Sequence, residues 1–273
     1  MSHNNISNHY VEGRFEQVIY SNHKQLEYRM MIAIPSEPPP AEGYPIIYAL
    51  DGDAVFATFA EAARLQTRKP HGYDPVVIVG IGYPSREPFE MSRRCYDFTM
   101  PAEVQNLPAR PNGQEWPEHG GADAFLQFIE TELRPAIEKQ YPINTTRQSL
   151  FGHSLGGLLV LHALFTRPQA FQNYAAGSPS IWWNHHAVLE EAEAFEKSFI
   201  IEGNLPRLML TIGADELPAM VKDAEQLAER LLPLAEKGFY SEMVKFCDES
   251  HVSVLPAAIS RVLRFALSSN HKG

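Results

Sequence analysis

Apolar residues along this chain keep two rhythms. Pro45-Ile46-Ile47-Tyr48-Ala49-Leu50 and Pro75-Val76-Val77-Ile78-Val79-Gly80-Ile81 are apolar at nearly every position, as strands covered on both faces of a sheet must be. Gln148 to Phe151, Phe171 to Gly177, Arg207 to Gly213 and Tyr240 to Phe246 read as further strands. Helical patterning runs over 54–65, 122–140, 155–165, 185–197, 218–235 and 254–267. Near the start, Phe15 to Tyr20 and Leu26 to Ile34 predict an antiparallel pair, with Ser21-Asn22-His23 near the turn. Alternating strands and helices predict an α/β domain with a mostly parallel central sheet and helices on both faces. Residues 1–12 read as a loose tail and 13–270 as one domain. Residues 83–120 break the alternation with six prolines, no clear period and a cluster of basic and aromatic side chains. A stretch this long without a period predicts a cap-like insertion, a flap or pocket wall.

The chemistry is concentrated at Ser149-Leu150-Phe151-Gly152-His153-Ser154-Leu155-Gly156-Gly157. A serine at the centre of G-x-S-x-G, after an apolar strand and before a helix, is how α/β-hydrolases present a nucleophile. The tight turn predicts that side chains at Gly152 and Gly156 would collide with neighbouring backbone. A serine hydroxyl needs a base, and in this fold acid and then histidine follow the serine. His162 falls two turns along the helix behind Ser154, His185 and His186 at a helix start, and His271 at the ragged end. His251 stands between the last strand and the last helix, where the base is expected. Gly213-Ala214-Asp215-Glu216 closes the preceding strand with two carboxylates. The position three residues beyond Gly213 favours Glu216 as the acid, with Asp215 as the alternative. An oxyanion needs two donors. The Leu155 amide is one, and the Asp51-Gly52-Asp53 turn offers the other through Gly52 or Asp53; helix capping by Asp51 or Asp53 is compatible with that role.

Size and charge narrow the classes. With 273 residues, 44% hydrophobic and 21% charged, the chain has the composition of an ordinary globular domain. A formal net charge of −10 disfavours nucleic acid and anionic membranes as partners. Cys95 and Cys247 match no metal or redox spacing and predict free thiols in a reducing compartment. No leader pattern and no spanning apolar run is visible, which predicts a cytoplasmic protein.

The motifs together are more specific than the serine turn alone. Tyr48-Ala49-Leu50-Asp51-Gly52-Asp53, Arg93-Arg94-Cys95-Tyr96-Asp97-Phe98-Thr99, Gly120-Gly121-Ala122-Asp123, Gly152-His153-Ser154-Leu155-Gly156-Gly157, Ser178-Pro179-Ser180-Ile181-Trp182-Trp183 and His251-Val252-Ser253-Val254-Leu255-Pro256 resemble, in this order, the siderophore trilactone esterases of the α/β-hydrolases. The resemblance covers most of the chain after the tail. It implies the α/β-hydrolase fold, Ser154 and His251 as catalytic residues, a cleft reached by 83–120, and no cofactor. It also implies cleavage of cyclic triesters of catechol-acylated serine or threonine, which frees the iron they carry. A ferric tris-catecholate is a trianion, so an acidic protein needs local cations. Arg93 and Arg94, beside Tyr96, Trp116 and Trp182, could supply charge and stacking; pairing of an arginine with Asp97 is the structural alternative.

Two other readings compete. The same chemistry fits a general carboxylesterase or acyl-thioester hydrolase, and the fold alone fits a ligand-binding protein. An intact Ser154, His251 and nearby acid argue against the last. The expected partner is a small-molecule ester, with the chain a monomer or homodimer.

Overall fold

The structure, a computed structural model, describes residues 13–85, 87–110, 113–199 and 205–268. The expected tail, 1–12, lies outside the described residues. Eight strands, β1 (Arg14–Tyr20), β2 (Glu27–Ala33), β3 (Tyr44–Leu50), β4 (Val77–Gly82), β5 (Ile143–His153), β6 (Asn173–Gly177), β7 (Arg207–Gly213) and β8 (Tyr240–Phe246), form one sheet in the order β1-β2-β4-β3-β5-β6-β7-β8. β2 pairs antiparallel with β1 and β4, and every other neighbour is parallel. Parallel neighbours require crossovers, and these supply the helical layers.

Side-chain alternation divides the core between the two faces. Ile47, Ala49, Ile78 and Phe151 pack with α1 (Gly52–Gln66) and α9 (Val254–Leu267). Ile46, Tyr48, Leu50, Val77, Val79 and Leu150 pack toward the other face, which carries α2 (Met91–Phe98), α3 (Ala122–Phe128), α5 (Leu155–Thr166) and α7 (Val188–Ser198). α8 (Pro218–Leu231) covers β7 and β8. α5 is buried from Leu155 to Phe165, so the helix behind the serine is fixed by core packing all round.

Three segments depart from the expected pattern. The helix over 122–140 is interrupted by a π turn, Ile129–Leu133, before α4 (Arg134–Gln140). Pro135 has no N–H to continue the ladder, and a wider turn accommodates it. Pro233 does the same at the end of α8, where the chain tightens into a 3-10 turn, Leu232–Lys237. Within 83–120, Met91–Phe98 is helical, capped by the Glu90 carboxylate accepting from the Ser92 amide at 3.3 Å. Its buried face holds Arg94 and Asp97 alongside Cys95 and Phe98, so apolar periodicity does not reveal it.

Candidate active site

The C-terminal ends of β3, β5, β6 and β7, and the turn after β8, bring together the residues singled out above; ligands bind at this edge in parallel α/β sheets. Ser154 leaves β5 with φ 60° and ψ −116°, a conformation costing about 1–3 kcal/mol for a residue with a side chain. Neighbouring backbone holds it there. The Ser154 amide donates to Gly177 O at 2.9 Å, and Ser154 O accepts from the Leu158 and Ser180 amides at 3.0 and 3.1 Å. A Cβ on Gly152 would overlap the Gly156 carbonyl, and one on Gly157 would lie 2.6 Å from Gly177 O. At Gly156 the expectation is corrected: a Cβ there meets nothing closer than Leu50 Cδ1 at 3.5 Å, because the neighbouring Leu50 and Asp51 side chains stand at ordinary contact distance. The crowded glycines are 152 and 157.

His251 and Glu216 meet. His251 Nδ1 lies 2.6 Å from Glu216 Oε2, and the Glu216 side chain is fully buried while that of His251 is 36% exposed. Glu216 Oε1 also accepts from Ser178 Oγ at 2.5 Å and the Gly213 amide at 2.8 Å. Burial alone would raise its pKa; the bonds from His251, Ser178 and Gly213 outweigh burial and hold it below the ordinary carboxylate value. With Nδ1–H directed at Glu216, Nε2 is left as the basic nitrogen. Asp215 is exposed and its carboxylate makes no hydrogen bond among the described residues; its amide donates to Glu249 O at 3.0 Å, which pins the His251 turn. Ser154 Oγ sits 3.4 Å from Ser180 Oγ and makes no hydrogen bond to His251. Such contacts are often long without substrate and tighten when it binds. The His153 ring packs on His251 with centroids 4.6 Å apart. Burial, then the neighbouring His251, pushes the His153 pKa down to about 3, so this ring stays neutral.

Among the described residues, nothing accepts a hydrogen bond from the amides of Leu155, Gly52 or Asp53. These are first-turn N–H groups of α5 and α1, and they are available to an anion. The Asp53 carboxylate is occupied, by an ion pair with Arg29 and by the Tyr83 amide at 3.0 Å. A Cβ at Gly52 would approach Gly80 C to 2.7 Å.

The arginines expected to meet substrate turn inward. Arg94 is 4% exposed and grips Asp51 with two bonds of 2.9 Å. Burial disfavours its charge, but the Asp51 carboxylate outweighs this and raises the guanidinium pKa. The Arg93 guanidinium lies 4.9 Å from the ring centroids of both Tyr28 and Tyr83, with Nη2 3.7 Å from Asp97. Tyr96 bonds His23 through its hydroxyl at 3.0 Å and carries Lys24 over its ring. Trp182 is half-buried, 6.1 Å from Trp116, whose ring lies under Arg110. Of the other histidines, His162 bonds Glu191 at 2.9 Å, His185 is exposed, and His186 bonds Asp223 at 3.1 Å; the latter two lie in the short α6 turn (Trp183–His186). Ser178 and Ser180 belong to the site without having been assigned roles from the sequence, and Asp51, expected as a side-chain cap of α1, makes no cap bond because its carboxylate is taken by Arg94. Ser178 and Asp51 have positive φ, 41° and 52°, which no composition signal marks. Among the described residues no cluster of three His, Cys, Asp or Glu side chains could hold a metal ion, and no helix is long and apolar enough to cross a membrane.

This geometry defines a serine hydrolase, and the comparisons agree: residues 21–200 match the "Putative esterase" family, to which the chain belongs, in its siderophore-esterase branch. It is 48% identical over 264 residues to the ferri-bacillibactin esterase BesA of Bacillus subtilis (strain 168), covering 94% of this chain and 90% of that one. It is 38% identical over 243 residues to a siderophore triacetylfusarinine C esterase of Aspergillus fumigatus, covering 80% of each. The crystal structure of the BES protein from Bacillus cereus superposes with a TM-score of 0.89 at 40% identity, covering 96% of this chain and 99% of that one. The enterobactin hydrolase IroE in complex with DFP gives 0.75 at 26% identity, over 94% and 95% of the two chains.

Proposed function

We propose that this chain hydrolyses the ester bonds of a ferric siderophore trilactone of the bacillibactin type. The observation that carries the reading is the 48% identity to BesA along nearly the whole chain, together with a strained serine turn and a buried acid–histidine pair at the same sheet edge. Ser154 Oγ attacks the ester carbonyl as His251 takes its proton. Charge on the carbonyl oxygen is received by the Leu155 amide and by that of Gly52 or Asp53. Collapse expels the alcohol of the ring serine or threonine, protonated by His251, and water then releases the acyl group from Ser154 by the same route. Glu216 holds the imidazole and stabilises its cation.

In this reading residues 13–270 act as one domain and 83–120 forms a wall of the cleft. Trp182, close in sequence to Ser180, and the Trp116–Arg110 pair stand where catecholate rings would stack. The reaction belongs in the cytoplasm, on imported siderophore; the free Cys247 thiol, exposed, suits a reducing compartment. The inward-facing arginines favour keeping a general carboxylesterase as the second reading. Turnover of ferric and iron-free bacillibactin-type and enterobactin-type trilactones, beside a p-nitrophenyl ester and an acyl thioester, separates the two. A higher kcat/KM for the ferric trilactones is expected. Rapid turnover of the simple ester or thioester with the trilactones untouched would overturn the substrate.

A further inference from the structure

The Ser178-Pro179-Ser180 turn after β6 touches both the acid and the nucleophile. At its start the Ser178 amide donates to Thr211 O at 2.7 Å, and Ser178 Oγ donates to Glu216 Oε1 at 2.5 Å. At its end the Ser180 amide donates to Ser154 O, and Ser180 O accepts from the Trp183 amide, both at 3.1 Å. Pro179 between them has a fixed φ, and its Cα lies 3.0 Å from where a Gly157 Cβ would stand, so the turn sits directly on α5. This clamp brings the Ser180 hydroxyl to 3.4 Å from Ser154 Oγ. Ser180 is 1% exposed, and among the described residues its Oγ meets no other hydrogen-bonding partner. A sealed hydroxyl whose one partner is the nucleophile can act on little else.

We propose that Ser180 is a catalytic residue whose hydroxyl donates a hydrogen bond to Ser154 Oγ while the acyl group is released. In the free enzyme either oxygen can carry the shared hydrogen. Once Ser154 has given its proton to His251 and bonded to the acyl carbon, its Oγ has lone pairs and no hydrogen, so only Ser180 can donate. In deacylation water attacks that carbon and passes a proton to His251. The bond from the carbon to Ser154 Oγ then breaks, its electron pair stays on the oxygen, and His251 returns the proton there. A donor aimed at Oγ strengthens as negative charge gathers on it. An ester oxygen accepts more weakly than a free hydroxyl, so the Ser180 bond gains more across deacylation than across acylation, and only such a gain speeds a step. The 3.4 Å separation is longer than a formed O–H···O bond, as catalytic contacts often are before substrate tightens them. The inference rests on the reading of Ser154 as nucleophile.

The test uses Ser180→Ala, which removes the donor, and Ser180→Cys, which keeps the size and offers only a weak one. The probe is p-nitrophenyl N-methylcarbamate, whose carbamoyl adduct leaves a serine slowly enough for both half-reactions to be timed on the full chain. Release of p-nitrophenol reports carbamoylation. Loss of the adduct by intact mass, with return of esterase activity, reports its hydrolysis. In both variants hydrolysis of the adduct is expected to slow roughly 3- to 10-fold, the worth of one neutral hydrogen bond, with carbamoylation within about twofold of wild type. If Ser180→Ala does not fold, Ser180→Cys alone decides. Unchanged adduct hydrolysis in a folded variant overturns the proposal. Equal slowing of both steps also overturns it, because a residue that merely packs the turn would act on both alike. Peptide mapping of the wild-type adduct separates the two failures: a carbamoyl group away from Ser154 removes the nucleophile assignment, whereas an adduct on Ser154 that both variants release at the wild-type rate removes only the role of Ser180.

Discussion

Two buried carboxylates flank Ser154, and each grips a basic side chain. Glu216 holds His251 at 2.6 Å and Asp51 holds Arg94 through two bonds of 2.9 Å. The carboxylates are alike in burial, and the partners are not: the His251 side chain is 36% exposed and that of Arg94 5%. An imidazole that must take up and return a proton has to reach the substrate. A guanidinium, always charged, exchanges no proton at neutral pH, and sealing it removes water that would compete for its bonds. In the proposed function the first pair moves a proton, while the second is a sealed ion pair beside the serine turn. A second arginine repeats the lesson. Arg93 lies 4.9 Å from the ring centroids of both Tyr28 and Tyr83, so it too is held by neighbouring side chains.

The largest effect should come from the atom between the two pairs. Ser154→Ala is expected to lower kcat on a p-nitrophenyl ester by roughly three or more decades; steady-state rates near wild type would remove the serine from the chemistry. Next, Glu216→Gln should cost about two to four decades in kcat, since the wrong tautomer of His251 is then favoured, while Asp215→Asn should change it less than about twofold. Equal, small effects would make the Glu216–His251 pair as static as the arginine pair and break the comparison. The turn itself can be probed through stability. Gly152→Ala should cost about 1–3 kcal/mol or more by urea denaturation, from overlap with the Gly156 carbonyl. Gly156→Ala, whose Cβ would stop 3.6 Å from Asp51 Oδ2, should stay within about 1 kcal/mol.

The smallest effects are in pH dependence, and two carboxylates should differ in sign. Glu216 has a lowered pKa in the fold, so its contribution is present above the unfolded value and fades as pH falls through the folded one. The Tm gap between wild type and Glu216→Gln should narrow on acidification. Burial, opposed by Arg93, pushes Asp97 up to about 7. The folded state then holds a proton that the unfolded chain has lost, and wild type should lose stability relative to Asp97→Asn as pH rises from 5 to 8. A parallel pH course for the two proteins would contradict that assignment.

The parallel strands, the serine turn and the Glu216 position were legible because each follows a local rule. Strands buried on both faces are apolar throughout, a G-x-S-x-G turn needs its first glycine, and the carboxylate that meets His251 follows the strand that ends at Gly213. The helix at Met91–Phe98 was not legible, because its inward face buries Arg94 and Asp97 whose partners, Asp51 and Tyr28, lie 43 and 69 residues away in sequence. Exposed charge and internally paired charge look the same in a sequence, so Arg93 and Arg94 read as charge for an anionic substrate, with pairing of one to Asp97 as the alternative; Arg93 does lie 3.7 Å from Asp97. Ser178 escaped notice for a related reason. Its bond to Glu216 crosses from β6 to β7, and serine in a Ser-Pro-Ser turn carries no mark of the strand beside it.

In the proposed function Ser154 is the single activated nucleophile at this sheet edge. Reaction of the full chain with diisopropyl fluorophosphate, followed by intact-mass measurement and peptide mapping, tests it without assuming a substrate. One adduct per chain, located on Ser154, absent in Ser154→Ala and formed much more slowly in Glu216→Gln, is the expected result. Stoichiometric labelling of another residue with full loss of esterase activity, or retention of activity after Ser154 is fully modified, would contradict it.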